Sequence, residues 1–385
     1  MLDISRGKPS PEQLDLTMGL FDYRDYKSVG GDCRNYGMLD GIPEAKKLFG
    51  DMLGCSAKNT IVCGNSSLNI MYYLLSLAMT HGVLGSEPWS QQKIKFLCPT
   101  PGYDRHFSIS EFFGMELIAV PMTSIGPDMD LVEKLVEDEQ VKGIWCVPQY
   151  SNPGGVVYSD ETVKRFANLK PKAKDFRIFW DNAYCLHHLV DKPKILLNLL
   201  TESEKVGNPN IAYVFGSTSK ISFSGAGVSA MAMSEENADS IKKSLAISTI
   251  GFDKMNQLRH IQFFKDLDGL NAHMLKHRAI IQPKFEAVLE ILDRKLNGIG
   301  KWSRPEGGYF ISYDAPNGCA KKAVELAKKA GVIMTPAGAG FPYGIDPNDS
   351  NIRISPTYPP IDELKRAMEI FSDCVLDSLK LKVKS

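Results

Sequence analysis

The stretch Ile211-Ala-Tyr-Val-Phe-Gly-Ser-Thr-Ser-Lys220 decides the fold of this 385-residue chain. Its first half is a short apolar run typical of a buried strand, and a polar loop ending on a lysine follows at once. Seven such strand-like segments occur between residues 60 and 233: Thr60–Cys63, Ile94–Cys98, Glu116–Pro121, Gly143–Val147, Arg177–Trp180, Ile211–Gly216 and Val228–Met233. Helical patterns lie between most of them, for example Leu131–Glu139 and Asp160–Leu169. The alternation predicts an α/β fold with a mainly parallel seven-stranded sheet flanked by helices.

The pattern changes near residue 255. Lys254–Leu296 reads as almost continuous helix, with Pro283 expected to break or kink it. A smaller α+β unit follows, with a strand at Gly308–Tyr313, a helix at Ala320–Ala330 and a terminal helix from about Ile361 to Leu381. We therefore expect a large domain over residues 31–255 and a small domain made of residues 1–30 and 256–385.

Composition excludes several classes of protein. The net charge is zero, which favours neither nucleic acid nor an anionic membrane as a partner. The eight cysteines are scattered without a Cys-x-x-Cys pair, which argues against disulfides or a metal site and for a reducing compartment. The start of the chain does not have the layout of a signal peptide. The most apolar stretch, Leu68–Met79, is too short to span a bilayer. A cytoplasmic protein without a metal is expected.

Lys220 and Asp181 each follow a strand-like segment, where open α/β sheets bind ligands. Lysine forms Schiff bases with carbonyl cofactors such as pyridoxal 5′-phosphate (PLP). A buried carboxylate keeps the pyridine nitrogen of PLP protonated, and Asp181 is a candidate for that task. Two alternatives stay open at this point. Lys220 is also consistent with a solvated loop lysine, and Asp181 with the N-cap of a helix beginning near Ala183.

Four further residues suit the same cofactor and its substrate. Tyr184 and Asn152 are candidates to donate to the phenolate oxygen, and Tyr103 is a candidate to stack on the ring. Arg353, between Ile352 and Ile354, is placed by strand alternation to hold a carboxylate with a bidentate fork. The alternatives are turn chemistry for Asn-Pro-Gly-Gly, an ordinary loop aromatic and an exposed strand arginine.

Gly64-Asn65-Ser66-Ser67 follows the first strand and opens a long apolar helix. Backbone N–H groups and hydroxyls at a helix N-terminus form an anion site, which suits a phosphate. Ser217, in the lysine loop, adds one more hydroxyl. Simple N-capping by Asn65 or Ser66 explains the same residues equally well.

Taken together and in this order, these motifs resemble the fold-type I PLP-dependent aminotransferases over nearly the whole chain. The run Ser5-Arg-Gly-Lys-Pro-Ser-Pro-Glu-Gln13 is similar to that of the bacterial-type aspartate aminotransferase subgroup. The resemblance implies that Lys220 forms the Schiff base and shuttles the proton, and that Asp181 pairs with the pyridinium. It assigns the phosphate to Asn65, Ser66, Ser67 and Ser217, and the substrate's α-carboxylate to Arg353.

The resemblance also implies roles that the residues alone do not suggest. Tyr36 matches a tyrosine donated to the phosphate by the partner subunit, which implies a homodimer with shared sites. Gly7 lies where the family's N-terminal segment covers the substrate, and His106 matches a histidine that supports the aspartate. One position departs from the family pattern, because Val228 stands where an arginine usually binds the phosphate.

The expected reaction is transamination between aspartate or glutamate and a 2-oxo acid such as 2-oxoglutarate or oxaloacetate. A dicarboxylate needs a second cation, for which Lys8, Arg34 and Arg105 are candidates. The alternatives are an aminotransferase for aromatic or 2-aminoadipate-type substrates, or a PLP lyase on the same fold. A non-catalytic sensor is a remote alternative, since about 30 residues precede the first matched motif and leave no room for a DNA-binding module.

Overall fold

A large sheet with helices on both faces organises the computed structural model, which describes residues 1–383, and confirms the predicted α/β class. The sheet order is Thr60–Val62, Ser229–Ala232, Ala212–Ser217, Arg177–Asp181, Val141–Cys146, Lys95–Thr100, Glu116–Thr123 and Gly126–Pro127. Seven of these strands match the predicted segments, and the two-residue edge strand Gly126–Pro127 does not. Ser229–Ala232 runs antiparallel to both of its neighbours, and the central strands pair in parallel.

Helices fill the connections. The α-helices are Pro11–Asp15, Pro43–Leu53, Ser67–His81, Asp104–Phe112, Met129–Leu135, Asp160–Ala167, Leu199–Lys205, Glu235–Ser248, Lys254–Phe264, Leu267–Leu296, Ala320–Lys329 and Ile361–Val383. Short 3-10 helices lie at Met18–Asp22, Ala57–Asn59, Trp89–Gln91, Pro209–Ile211 and Pro342–Gly344. Within residues 1–383 there is no helix with the length and apolarity needed to cross a membrane.

Side-chain alternation builds a core on each face of the large sheet. Along Arg177–Asp181, Ile178 and Trp180 pack into the core on one face, and Phe179 packs into the core on the other. Successive strand residues point to opposite faces, so a strand covered on both sides is apolar throughout. This is why the predicted strands read as continuous apolar runs.

A third core lies in the C-terminal part of the chain. A three-stranded antiparallel sheet of Lys301–Trp302, Ile311–Asp314 and Asn351–Ile354 packs with the long helices. Ile4 is buried in the same core, and Leu2–Asp3 pairs in parallel with Val332–Ile333. Lys27–Ser28 and Gly31–Asp32 form a separate two-stranded sheet. The division into domains at residue 255 stays a proposal.

One local prediction and one alternative interpretation fail. The helical stretch after residue 254 is not broken at Pro283, which lies inside the helix Leu267–Leu296. The chain breaks instead at Lys265, whose φ of 69° ends one helix, and Asp266 caps the next through Gly269. No helix begins near Ala183, because residues 183–186 form a turn. Asp181 is therefore the last residue of a strand and not a helix cap.

Candidate active site

The sequence-predicted residues converge because parallel strands present their carboxyl ends at one edge of the sheet. Lys220 follows Ala212–Ser217, Tyr103 follows Lys95–Thr100, and Asn152 follows Val141–Cys146. A cleft of about 500 Å³ opens at this edge. Among the predicted residues, its walls include Gly7, Tyr103, Asn152, Tyr184, Lys220 and Arg353.

Asp181 lies buried behind the cleft at 4% exposure. Its Oδ2 is 3.1 Å from Nε2 of His106. Its Oδ1 is buried without a hydrogen-bond partner among residues 1–383. A buried carboxylate oxygen without a partner costs free energy, so it marks the place where a ligand donor is missing.

His106 connects Asp181 to the core of the sheet. Its ring stacks on Trp145, with centroids 4.3 Å apart and an interplanar angle of 11°. The indole Nε1 of Trp145 donates to Oγ of Ser110, which fixes the tryptophan. Tyr103 meets the other side of the histidine ring edge-on at 4.8 Å. The histidine, and with it the aspartate, is therefore held in one orientation.

Lys220 extends over the ring of Tyr184, with its Nζ 5.0 Å from the ring centroid. Burial lowers the pKa of Lys220 from its ordinary value of 10.5, and the carboxylate of Asp181 opposes that shift. A lowered pKa leaves more of the amine neutral near neutral pH, and the neutral amine is the nucleophile. The solvated-loop interpretation of this lysine is wrong.

The phenols and the amide around Lys220 are suited to donate hydrogen bonds. Burial raises the pKa of Tyr103 to about 12 and raises the pKa of Tyr184 well above its ordinary value, so both hydroxyls keep their protons. Asn152 is buried, and its Oδ1 accepts from Nη1 of Arg353 at 3.3 Å. The amide nitrogen of Asn152 is then the group left to donate.

Arg353 is held by several partners but is not fully satisfied. It lies on the strand Asn351–Ile354, and its side chain is only 12% exposed. Nη1 pairs with Oδ1 of Asp104 at 2.8 Å, and Nη2 lies 3.3 Å from Oγ1 of Thr335. Nε is buried without a partner among the described residues. The low exposure rules out a merely exposed strand arginine.

The helix start and the lysine loop are joined by hydroxyls. Ser66 precedes the helix Ser67–His81, and its side chain does not cap it. Oγ of Ser217 donates to Oγ of Ser219 at 3.1 Å, and Oγ of Ser219 donates to the carbonyl of Asn65 at 2.9 Å. The N–H groups of Asn69 and Ile70 donate to the carbonyl of Ser66, so those of Ser67 and Leu68 are the ones available to an anion.

Val228 belongs to the core. It is 2% exposed, and its N–H donates to Oγ1 of Thr218 at 2.9 Å. The side chain that replaces the family's arginine therefore packs the base of the lysine loop. The N-terminus of the helix Ser67–His81 supplies a partial positive charge for a phosphate on this side.

Gly7 and Tyr36 occupy different surroundings. A Cβ at Gly7 would lie 2.3 Å from Cζ of Phe310, so the N-terminal segment can approach that ring only as glycine. Tyr36 is 81% exposed and does not belong to the cleft wall of its own chain.

The three candidate cations for a distal carboxylate separate clearly. Arg34 is paired with Asp32 at 2.6 Å and stacks on Tyr26, and it does not line the cleft. Lys8 and Arg105 do line it, and Lys8 lies 3.7 Å above the ring of Tyr358. Sequence reasoning missed Arg6, which lines the same cleft. Arg6 lies between Ser5 and Gly7 in the motif Ser5–Gln13, and its place next to Gly7 could have indicated that it lines the cleft.

The comparisons with known proteins agree with this geometry. The family model described as aspartate amino-transferase matches residues 1–384. An aspartate aminotransferase of Corynebacterium glutamicum is 45% identical over 383 residues, which cover 97% of this chain and 89% of that protein. A solved aspartate transaminase of Corynebacterium glutamicum, also 45% identical, has a TM-score of 0.96 and covers 98% of this chain and 91% of that chain. A more distant structure, the α-aminoadipate aminotransferase of Thermus thermophilus, shares the fold at 18% identity, with a TM-score of 0.80 over 99% of this chain and 93% of that chain.

The fold and the family match define a fold-type I aminotransferase. The chain belongs to the aspartate aminotransferase family. Aminotransferases of this family use PLP, and the residues present fit that cofactor. The unpartnered Oδ1 of Asp181 suits a protonated ring nitrogen, and the lysine with its lowered pKa suits an aldehyde carbon. Membership of this family sets aside the lyase and sensor alternatives.

Proposed function

We propose that this aminotransferase exchanges the amino group between aspartate or glutamate and the corresponding 2-oxo acids. The observation that carries this proposal is the charge of the cleft. Arg353, whose side chain is only 12% exposed, lines the cleft together with the exposed cations Arg6, Lys8 and Arg105. A cleft with one largely covered guanidinium and further cations is complementary to a substrate with two carboxylates.

The cofactor is assigned to the residues of the sheet edge. Lys220 would hold its aldehyde carbon, and Oδ1 of Asp181 would accept from its ring nitrogen. Asn152 and Tyr184 would donate to its phenolate oxygen, and Tyr103 would stack on its ring. The side chains assigned to the phosphate lie at the start of the helix Ser67–His81 and in the lysine loop. They are Asn65, Ser66, Ser67 and Ser217. When bound, PLP acts as an electron sink for the bond broken at the substrate's α-carbon.

The protein's own groups then divide the remaining work. Arg353 holds the α-carboxylate through its guanidinium, for which Asp104 now provides the counter-charge. The neutral amine of Lys220 removes the α-proton and later returns it, as general base and acid. Asp181 keeps the proton on the ring nitrogen, and His106 keeps Asp181 in place. Gly7, against Phe310, brings the N-terminal segment over the substrate.

The distal carboxylate is assigned to Arg105. Its guanidinium fork matches a carboxylate better than the point charge of Lys8, which already lies over Tyr358. Arg34 is excluded from this role in its own chain by its pairing with Asp32. Arg6 also carries a guanidinium and lines the same cleft, so an Arg6 variant is the control for Arg105.

We further propose a cytoplasmic homodimer in which Tyr36 completes the neighbouring subunit's phosphate site. The 81% exposure of this tyrosine supports the proposal, since its own chain gives it no buried place. Tyr36→Phe is expected to weaken PLP binding while the dimer persists. Sedimentation tests whether the variant is still a dimer, and PLP titration tests whether it binds the cofactor more weakly. A monomeric wild-type protein would contradict the proposed dimer.

The experiment that tests the substrate is a donor series on the PLP-loaded enzyme. Aspartate and glutamate are expected to bleach the yellow absorbance band at far lower concentration than phenylalanine, tyrosine or 2-aminoadipate. With Arg105→Ala, the concentration needed for bleaching should rise for aspartate, glutamate and 2-aminoadipate, which each carry a second carboxylate, and should stay unchanged for phenylalanine and tyrosine. A preference for aromatic donors or 2-aminoadipate in the wild type would replace the aspartate assignment with the alternative aminotransferase.

A further inference from the structure

Side chains from distant parts of the chain hold the backbone that carries Lys220. The carbonyl of Lys220 accepts from the hydroxyl of Tyr309 at 3.3 Å, and Nε2 of His187 lies 3.3 Å from the same oxygen. The next carbonyl, that of Ile221, lies 3.4 Å from Oγ1 of Thr17. Beyond the end of the strand Ala212–Ser217, the lysine loop is therefore anchored by groups that lie outside the large sheet.

Gln13 connects this anchor to the N-terminal segment. Its side chain is fully buried, and its Nε2 donates to the hydroxyl of Tyr309 at 2.9 Å. The same nitrogen lies 3.0 Å from Nδ1 of His277, and Oε1 accepts from the N–H of Ser10 at 3.1 Å. Gln13 is thus bonded on both sides, and the N-terminal segment that lines the cleft ends on this residue.

The proton positions in this network follow from the donors. Gln13 can only donate through Nε2, so Nδ1 of His277 accepts, and the neutral ring of His277 carries its hydrogen on Nε2. The hydroxyl of Tyr309 accepts from Gln13 and therefore turns its own proton to the carbonyl of Lys220. Burial lowers the pKa of His277 to about 3, which keeps that ring neutral.

We propose that Gln13 and Tyr309 are positioning residues that set the location of the Lys220 amine. A lysine side chain is long and flexible, so its amine can reach many positions if the backbone also moves. Holding the peptide plane of Lys220 in one orientation limits those positions. Fixing the carbonyl of Lys220 through Tyr309 restricts that plane, and Gln13 restricts Tyr309. The inference rests on the proposed role of Lys220 as the reactive amine.

The chain offers a matched control. Tyr313 is fully buried like Tyr309 and four residues away, but its hydroxyl has no hydrogen-bond partner among residues 1–383. Tyr309→Phe and Tyr313→Phe each remove one buried oxygen and preserve the ring. Only the first removes a contact to the lysine loop.

The test measures how fast the cofactor-free protein combines with PLP, followed by absorbance in stopped flow. Tyr309→Phe is expected to slow this step about tenfold, and to lower kcat similarly while KM for aspartate changes less than twofold. Tyr313→Phe should match the wild type in all three quantities. Equal behaviour of the two variants would overturn the proposal. Lys220→Ala tests the proposed function separately, because turnover by that variant would overturn the role of Lys220 itself.

A second variant tests whether Gln13 acts through Tyr309. Gln13→Met removes the donating amide, and the double variant with Tyr309→Phe should be no slower in PLP binding than Tyr309→Phe alone. Fully additive losses would show that Gln13 does not act through the phenol, and would remove it from the proposal. Thermal unfolding of each variant accompanies the kinetics, so that a loss of folded protein is not counted as a loss of positioning.

Discussion

The two sides of the cleft differ in how firmly the fold holds their side chains before a ligand binds. On the side assigned to the cofactor ring, which we call the ring side, Asp181, His106 and Trp145 are each less than 5% exposed and are held by stacking and hydrogen bonds. On the substrate side, Arg6 and Arg105 are exposed side chains on the cleft wall. The buried side serves the chemistry that the whole class shares, and the exposed side serves the choice of substrate.

The largest effect is expected on the buried side, at Lys220. Lys220→Ala should lower kcat on the order of 10⁴-fold, since the variant lacks the group that removes and returns the α-proton. Steady-state assays with aspartate and 2-oxoglutarate measure it. Lys284→Met is the control, because Lys284 is another buried lysine with a lowered pKa, and its Nζ donates to the carbonyl of Thr357. A similar loss in both variants would point to general damage.

Next in size is the loss at Asp181. Asp181→Asn keeps the shape but removes the charge that holds the ring nitrogen protonated, so kcat should fall roughly 10²- to 10³-fold. The absorbance band of bound PLP should shift as well. Asp175→Asn is a matched control, because Asp175 is also buried but pairs with Lys142 and Trp89. Retained activity in Asp181→Asn would contradict the conclusion that the buried side of the cleft serves the chemistry.

On the substrate side the effects should be smaller and should depend on the donor. Arg353→Lys loses the planar fork, so KM should rise roughly 10- to 100-fold for every amino acid. Arg105→Ala should raise KM roughly fivefold for aspartate and glutamate and leave KM for phenylalanine and tyrosine unchanged, because an exposed ion pair is worth at most about 1 kcal/mol. Arg6→Ala in the same assay shows whether the effect belongs to Arg105. Loss of discrimination in Arg6→Ala alone would reassign the distal carboxylate.

A separate prediction concerns a different quantity, the free energy of unfolding as a function of pH. Burial lowers the pKa of His187 and His277 to about 3 and that of His260 to about 4. In the unfolded chain these histidines take up protons near pH 6.5, whereas in the folded chain they stay neutral until about pH 4 or 3. The free energy of unfolding is therefore highest above pH 6.5 and decreases as the pH falls toward 4 and 3. Each unit of difference corresponds to about 1.4 kcal/mol. Urea unfolding between pH 7 and 5, above the usual carboxyl range, should show falling stability, and a flat profile would contradict the neutral, buried state of these histidines.

Much of the ring side was predictable from sequence because its signals are local. Asp181 ends an apolar strand and Lys220 lies three residues beyond the end of another, and strand ends in a parallel sheet meet at one edge. The break near Lys265 escaped prediction because a single residue with positive φ ends the helix, whereas Pro283 is accommodated inside one. The edge strand Gly126–Pro127 is too short to leave a pattern.

The sequence by itself determined the alternation of strands and helices, the order of the chemical groups and the family, since each depends on short-range periodicity and spacing. Tertiary structure alone decided which groups have partners. The free Oδ1 of Asp181 and the pairing of Arg353 with Asp104, 249 positions apart, follow from side-chain positions. The bond from Gln13 to Tyr309 joins residues 296 positions apart. Hydrogen bonds depend on distances of a few tenths of an ångström, which only the packed chain sets.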